Sequence, residues 1–201
     1  YLQFLFELIG LPFRPNYWDY QYKLDHTIDE RNTLSLIGIG ALDDFTVEAP
    51  DAFDPEQQAR LEQAPYINQN THVAGLSWKH LFKDTPGVLQ LTLSHNRLNN
   101  IFTRYLDPEN ETGIVFRNDA LEAETKFRAH LTKYVGEWRW FSGVNLQHSD
   151  YRNNTQIAAF NTAYSTDINF MKYGAFSNLS APLNDKLELS VGFRLDGDSF
   201  T

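Results

Sequence analysis

From Leu121 to Leu131 the chain reads LEAETKFRAHL, an unbroken alternation of two kinds of side chain. Leu121, Ala123, Thr125, Phe127, Ala129 and Leu131 share one parity, while Glu122, Glu124, Lys126, Arg128 and His130 share the other. Successive side chains of a strand point to opposite faces, so this segment predicts a β-strand with one apolar and one charged face. The period recurs along most of the chain and predicts eight strands in four up-and-down pairs.

The first runs from Tyr17 to Ile28, with Trp18, Tyr20, Tyr22, Leu24 and His26 opposed to Asp19, Gln21, Lys23 and Asp25. The second covers Leu34 to Val47, where Gly38 and Gly40, two apart on one face, mark bending or close approach. The third is His72 to Phe82, and the fourth alternates Leu89, Leu91 and Leu93 with Gln90, Thr92 and Ser94. The fifth ends near Tyr134, and the sixth alternates from Trp138 to Gln147. The seventh spans Asp167 to Leu183, with its register open because Phe170 and Phe176 compete with Tyr173 and Ala175 for the apolar face. The eighth sets Leu187, Leu189, Val191 and Phe193 against Glu188, Ser190, Gly192 and Arg194.

Connections within pairs are short: Asp29 to Asn32, Lys83 to Gly87, Val135 to Glu137 and Asn184 to Lys186. Between pairs they are longer and polar: Glu48 to Asn70, Asp107 to Glu111 and Asp150 to Ser165. Within the first of these, Asp54-Pro55-Glu56 offers an N-cap, a Pro at the first helical position and an acidic first turn, which predicts a short helix over Gln57 to Glu62. Short turns at one rim and long loops at the other are the pattern of outer-membrane barrels. The strands also exceed the roughly 5 or 6 residues usual in globular sheets. Trp78, Phe82, Tyr134, Trp138 and Trp140 gather beside the short turns, where an interfacial aromatic girdle would sit. The expected fold class is therefore all-β, an antiparallel up-and-down transmembrane β-barrel segment.

Composition narrows this further. Mean hydropathy is −0.45, and no stretch approaches the roughly 20 apolar residues of a spanning helix. A barrel is compatible with such values, because only alternate residues touch lipid. The net charge of −9 with no Lys/Arg cluster argues against a nucleic-acid partner. The absence of cysteine rules out disulfides, thiolate metal sites and a cysteine nucleophile. The opening YLQFLFELIG has neither a basic n-region nor an Ala-x-Ala site, so no signal peptide is read there.

Candidate chemistry is sparse. His26, His72, His80, His95, His130 and His148 fall on different strands and faces without ligand spacing, so no metal site is expected. For Asp43, Asp44, Asp51 and Asp54 a solvated acidic loop is favoured over a calcium site. No Gly-x-Ser-x-Gly and no carboxylate pair in an apolar pocket occurs, so no enzyme is expected. The charged ladder Glu122, Glu124, Lys126, Arg128 and His130 reads either as a wall touching ligand or plug, or as a wet surface whose charges pair with neighbouring strands. With the sides reversed, it would be the exterior of a soluble sheet.

Several segments together resemble the barrel of Bacteroidota-type TonB-dependent outer-membrane receptors: LPFRPNYWDYQYKLDHTIDERNTLSLIGIGALDDF (Leu11 to Phe45), AGLSWKH (Ala74 to His80), LEAETKFR (Leu121 to Arg128), TDINFMKYGAFSNLS (Thr166 to Ser180) and VGFRLDGDSF (Val191 to Phe200). That family joins a barrel of about 22 strands to an N-terminal plug and a TonB-binding box. Neither is visible here, nor is a closing strand with a terminal aromatic, so residues 1–201 are expected to be an internal part of the barrel.

The resemblance implies an active-transport receptor in the outer membrane of a Gram-negative bacterium. It would capture a scarce nutrient (siderophore, glycan, cobalamin or peptide) and import it with TonB-supplied energy and no cofactor. Its partners would be outer-membrane lipid, the nutrient, and the TonB complex through a part of the protein outside this chain. Glu122, Glu124, Lys126, Arg128, His130 and Arg194 would line the lumen, and loops carrying Asp44, Asp54, Tyr66, Tyr105 and Tyr151 would touch ligand. The alternative from another class is a self-contained eight-stranded barrel, either a membrane anchor or adhesin, or a lipocalin-like soluble carrier with the aliphatic face inside.

Overall fold

A computed structural model describes residues 13–47 and 65–200 of the chain. Asp51, Asp54, the helix expected over Gln57 to Glu62 and the apolar start Leu2 to Leu11 lie outside those residues. The described chain forms one antiparallel sheet of eight strands in sequence order. These are β1 Phe13–Thr27, β2 Asn32–Val47, β3 Tyr66–Leu81, β4 Gly87–Asp107, β5 Thr112–Val135, β6 Trp138–Ile157, β7 Thr162–Asn184 and β8 Leu187–Asp198.

Each strand starts or ends further out than its apolar alternation suggests, and one predicted connection disappears. Asp150 to Ser165 is sheet rather than loop: β6 continues to Ile157, a 3-10 turn takes Ala158–Phe160, and β7 resumes at Thr162. The reason is that a strand wetted on both faces needs no hydrophobic period, while its backbone N–H and C=O groups still need partners. Arg152, Asn153, Asn154 and Thr155 find them by pairing with β5 on one side and β7 on the other. The short turns come out as expected; Gly136 takes φ +62°, a conformation that costs glycine little, in the two-residue turn between β5 and β6.

The register settles which residues share a face, because directly paired residues lie on the same side of a sheet. One row runs Leu24, Leu36, Leu76, Leu93, Phe127, Leu146 and Tyr173 across β1 to β7. Two residues nearer the turns, the next apolar-side row runs Leu34, Trp78, Leu91, Ala129, Val144, Ala175 and Leu195. The opposite face carries rows such as Asn96, Glu124 and Ser149, and Gln90, His130, Gly143, Phe176 and Arg194. The open register of β7 is thereby resolved. Tyr173 and Ala175 pair with Leu146 and Val144 on the apolar face, and Phe170 and Phe176 belong to the polar one.

No second layer covers either face among the described residues. Among the described apolar side chains only Pro108 and Ala181 are buried, while Leu93 is 50% and Leu195 71% exposed. Both edges are open as well: among the described residues β1 pairs only with β2 and β8 only with β7. A self-contained eight-stranded barrel or a lipocalin-like carrier requires β1 to close onto β8, and that pairing is absent among the described residues.

Candidate functional site

The polar face is where this sheet concentrates chemistry. At its centre Glu124 on β5 accepts from Gln147 Nε2 at 2.8 Å and pairs with Lys126 two residues along. The same Gln147 amide reaches Ser149 Oγ at 2.9 Å, and Ser149 is buried. A strand projects i and i+2 to one side, so Glu124 and Lys126, and Gln147 and Ser149, meet by geometry alone. Nearer the turns His130, Phe141 and Phe176 form an aromatic trio with centroids 5.0 to 5.8 Å apart. Gly143 sits between His130 and Phe176 in register, and a Cβ there would lie 2.6 Å from His130 Cδ2 and 2.8 Å from Phe176 Cε1. The two rings occupy the space a side chain would need.

Beside the trio an open groove of about 690 Å³ is lined by Lys126, Arg128, Lys172, Arg194, Asp196 and Asp198 among others. Arg194 is held by a bidentate pair with Asp196, its Nη2 2.8 Å from Oδ1. Arg128 has no ion-pair partner among the described residues. Among the described residues the groove therefore offers the Arg128 guanidinium free to bind. Lys126 and Arg194 beside it are paired with Glu124 and Asp196, and the Lys172 ammonium lies over the Phe170 ring.

All six residues expected to line a lumen, Glu122, Glu124, Lys126, Arg128, His130 and Arg194, share this face. Of the expected loop contacts Tyr66 and Tyr105 come together, Asp44 and Tyr151 stand apart from them, and Asp54 lies outside the described residues. Asp44 lies within β2 on the apolar side, and Asp43 faces the other way, so these two neighbours cannot chelate one ion together. Tyr66 and Tyr105 are strand residues that meet edge-on at 5.3 Å near the rim opposite the short turns, with the Tyr66 hydroxyl donating to the Pro108 carbonyl at 2.6 Å. Tyr151 is on β6, opposite Glu122 on the polar face. Among the described residues no group of three or more His, Cys, Asp or Glu is placed to hold a metal ion.

Of the aromatic belt, Trp78, Trp138 and Trp140 occupy the apolar face, and Lys133 stacks over Phe82 at 3.3 Å beside them. Tyr134 falls on the polar face and leaves the belt, because it shares the parity of His130. Gln147, Ser149, Phe141, Phe176 and Lys172 escaped the sequence reading, although their parity within each strand was visible. What the sequence lacked was the register joining one strand's parity to the next.

A scan against protein-family models and a search of curated proteins both find no match. Among solved structures the chain is similar to the copper transporter OprC, with a TM-score of 0.66 at 16% identity over 92% of this chain. It also matches the ferric yersiniabactin uptake receptor FyuA from Yersinia pestis, with a TM-score of 0.48 at 13% identity over 90% of this chain. The chain spans 29% of the length of the first and 28% of the second. The likeness is one of fold: the eight-stranded sheet matches a segment of the copper transporter OprC.

Proposed function

We propose that this chain is part of the barrel wall of a TonB-dependent receptor in a Gram-negative outer membrane, facing lipid with its apolar side and a water-filled lumen with its polar side. One observation carries the reading: the register keeps apolar side chains on one face across all eight strands, and no described residue covers that face. In water so large an exposed apolar surface would drive association; in a bilayer it is the solvated side. Along β6 and β8 the band runs from Trp138 to Leu146 and from Leu187 to Leu195. Each stretch is about 9 residues, the length a tilted strand needs to cross the hydrocarbon. Above it the same face turns polar at His148, Asp150 and Arg152, where the sheet would project into water.

In this role the wall does no covalent chemistry. The unpaired Arg128 and the Glu124–Gln147–Ser149 network supply fixed hydrogen-bonding groups for an imported nutrient or for a plug. The two open edges fit the remaining strands of a larger barrel. The protein in its native length should fractionate with the outer membrane, stay folded only in detergent and migrate heat-modifiably on a gel. A monodisperse, detergent-free monomer would sink this reading.

A further inference from the structure

On the apolar face, three nitrogen-bearing side chains cluster where the aliphatic band ends. His72 on β3 pairs directly with Arg97 on β4, and His95 lies two residues along β4 on the same side. All three are exposed. Small residues surround them: Ala74 stands opposite His95, Ala123 opposite Arg97 and Thr125 opposite His95. The row directly beneath is Leu36, Leu76, Leu93 and Phe127.

Both imidazoles are anchored by one nitrogen. The Tyr20 hydroxyl lies 2.8 Å from His72 Nδ1, and the Thr125 hydroxyl 2.9 Å from His95 Nδ1. When those hydroxyls donate, the ring proton of each histidine resides on Nε2, which no described side chain engages. Arg97 likewise has no carboxylate partner among the described residues. The nearest carboxylate in its row, Asp150 two strands away, is taken by Arg152 at 2.7 Å. Two oriented N–H donors and a free guanidinium thus stand at the upper margin of a leucine row.

We propose that His72, Arg97 and His95 hold the phosphate of an anionic lipid headgroup, with the acyl chains running down the strands over Leu93, Leu91 and Leu89 of β4 and Leu76 and Trp78 of β3. Charge complementarity selects this occupant: a phosphate matches the fork of Arg97 and the two Nε2 donors, and the leucines beneath suit its hydrocarbon tails. The proposal rests on the reading that the apolar face meets lipid.

The test is native mass spectrometry of the detergent-purified protein in its native length, titrated with dimyristoylphosphatidylglycerol, with dimyristoylphosphatidylcholine and with inorganic phosphate. Phosphatidylglycerol should bind more tightly than the other two, and Arg97→Gln should weaken it about fivefold, with a further loss on adding His72→Gln. Equal retention of both lipids, unchanged binding in the double variant, or binding of inorganic phosphate as tight as that of the lipid would overturn the proposal. Detergent dependence and heat-modifiability, scored on the same preparations, report separately on the membrane reading.

Discussion

Tyr20 reaches His72 across a strand that lies between them: its ring passes over Gly40, and its hydroxyl ends 2.8 Å from His72 Nδ1. A Cβ on Gly40 would lie 2.4 Å from the Tyr20 ring, and one on Gly38 would lie 2.3 Å from Tyr22. The close approach expected at these two glycines is therefore made by two stacked tyrosines, whose planes are 9° apart. Gly40→Val should displace the Tyr20 ring and destabilise the sheet by about 1–3 kcal/mol. Tyr20→Phe, which keeps the ring and loses only the hydrogen bond, should cost about 0.5–1.5 kcal/mol. The temperature at which the folded gel band disappears ranks the two variants.

Leu93 and Asn96 lie three residues apart on β4 and face opposite ways. Leu89→Arg, two rows below Leu93 on the same face and at the middle of the apolar band, should cost about 2–4 kcal/mol if that face meets the bilayer midplane. Asn96→Arg, directly opposite Glu124 on the polar face, should be nearly neutral. Urea unfolding in phospholipid vesicles measures both, and equal penalties would argue against lipid on the Leu93 side.

Arg128 is a groove guanidinium with no ion-pair partner among the described residues. Arg128→Gln should leave the amount of protein in the outer membrane unchanged and weaken nutrient capture about tenfold, the effect of losing a charge-assisted hydrogen bond. Depletion of the nutrient from the medium by intact and variant cells is the readout. An unchanged rate would make Arg128 a bystander in a wet wall.

The turn between β1 and β2 carries a pH signature. Asp29 Oδ1 accepts the Arg31 and Asn32 amides at 2.8 and 2.9 Å, and the Asn32 side chain donates to the same carboxylate. The Arg31 amide first, then the Asn32 side chain, hold its carboxyl below the ordinary carboxylate value. A group whose pKa is lowered by folding adds stability above its unfolded pKa, and that stability disappears as pH falls through the folded value. The turn should therefore loosen only under acid conditions, seen as faster hydrogen exchange at the Arg31 and Asn32 amides. Asp29→Asn should abolish that pH dependence.

The pattern of the chain disclosed the strands wherever one face meets an apolar surroundings and the other does not. It concealed them where water lies on both sides: Arg152 to Thr155 carry no alternation, yet the backbone there is fully paired sheet. Phe176 was ambiguous because an aromatic ring on the polar face imitates the apolar period. Only the pairing of Gly143 with both His130 and Phe176 explains why a ring is welcome there. Tyr134 misled in the opposite sense, being close to a turn but on the wrong side of the sheet. The site residues shared the same fate. Parity within each strand was readable, whereas the alignment of one strand with the next is set by turns and cross-strand contacts that no single segment contains.

Because among the described residues every strand bonds only to its neighbours in sequence, the hairpin is the unit of growth for this architecture. Adding or removing one hairpin would leave all other pairings untouched and change only the width of the sheet, so in the barrel proposed above pore width becomes a quantity that gene duplication can tune in steps of two strands. Losing a single residue inside a strand is a far larger event. It would exchange the two sides of every residue from that point to the next turn.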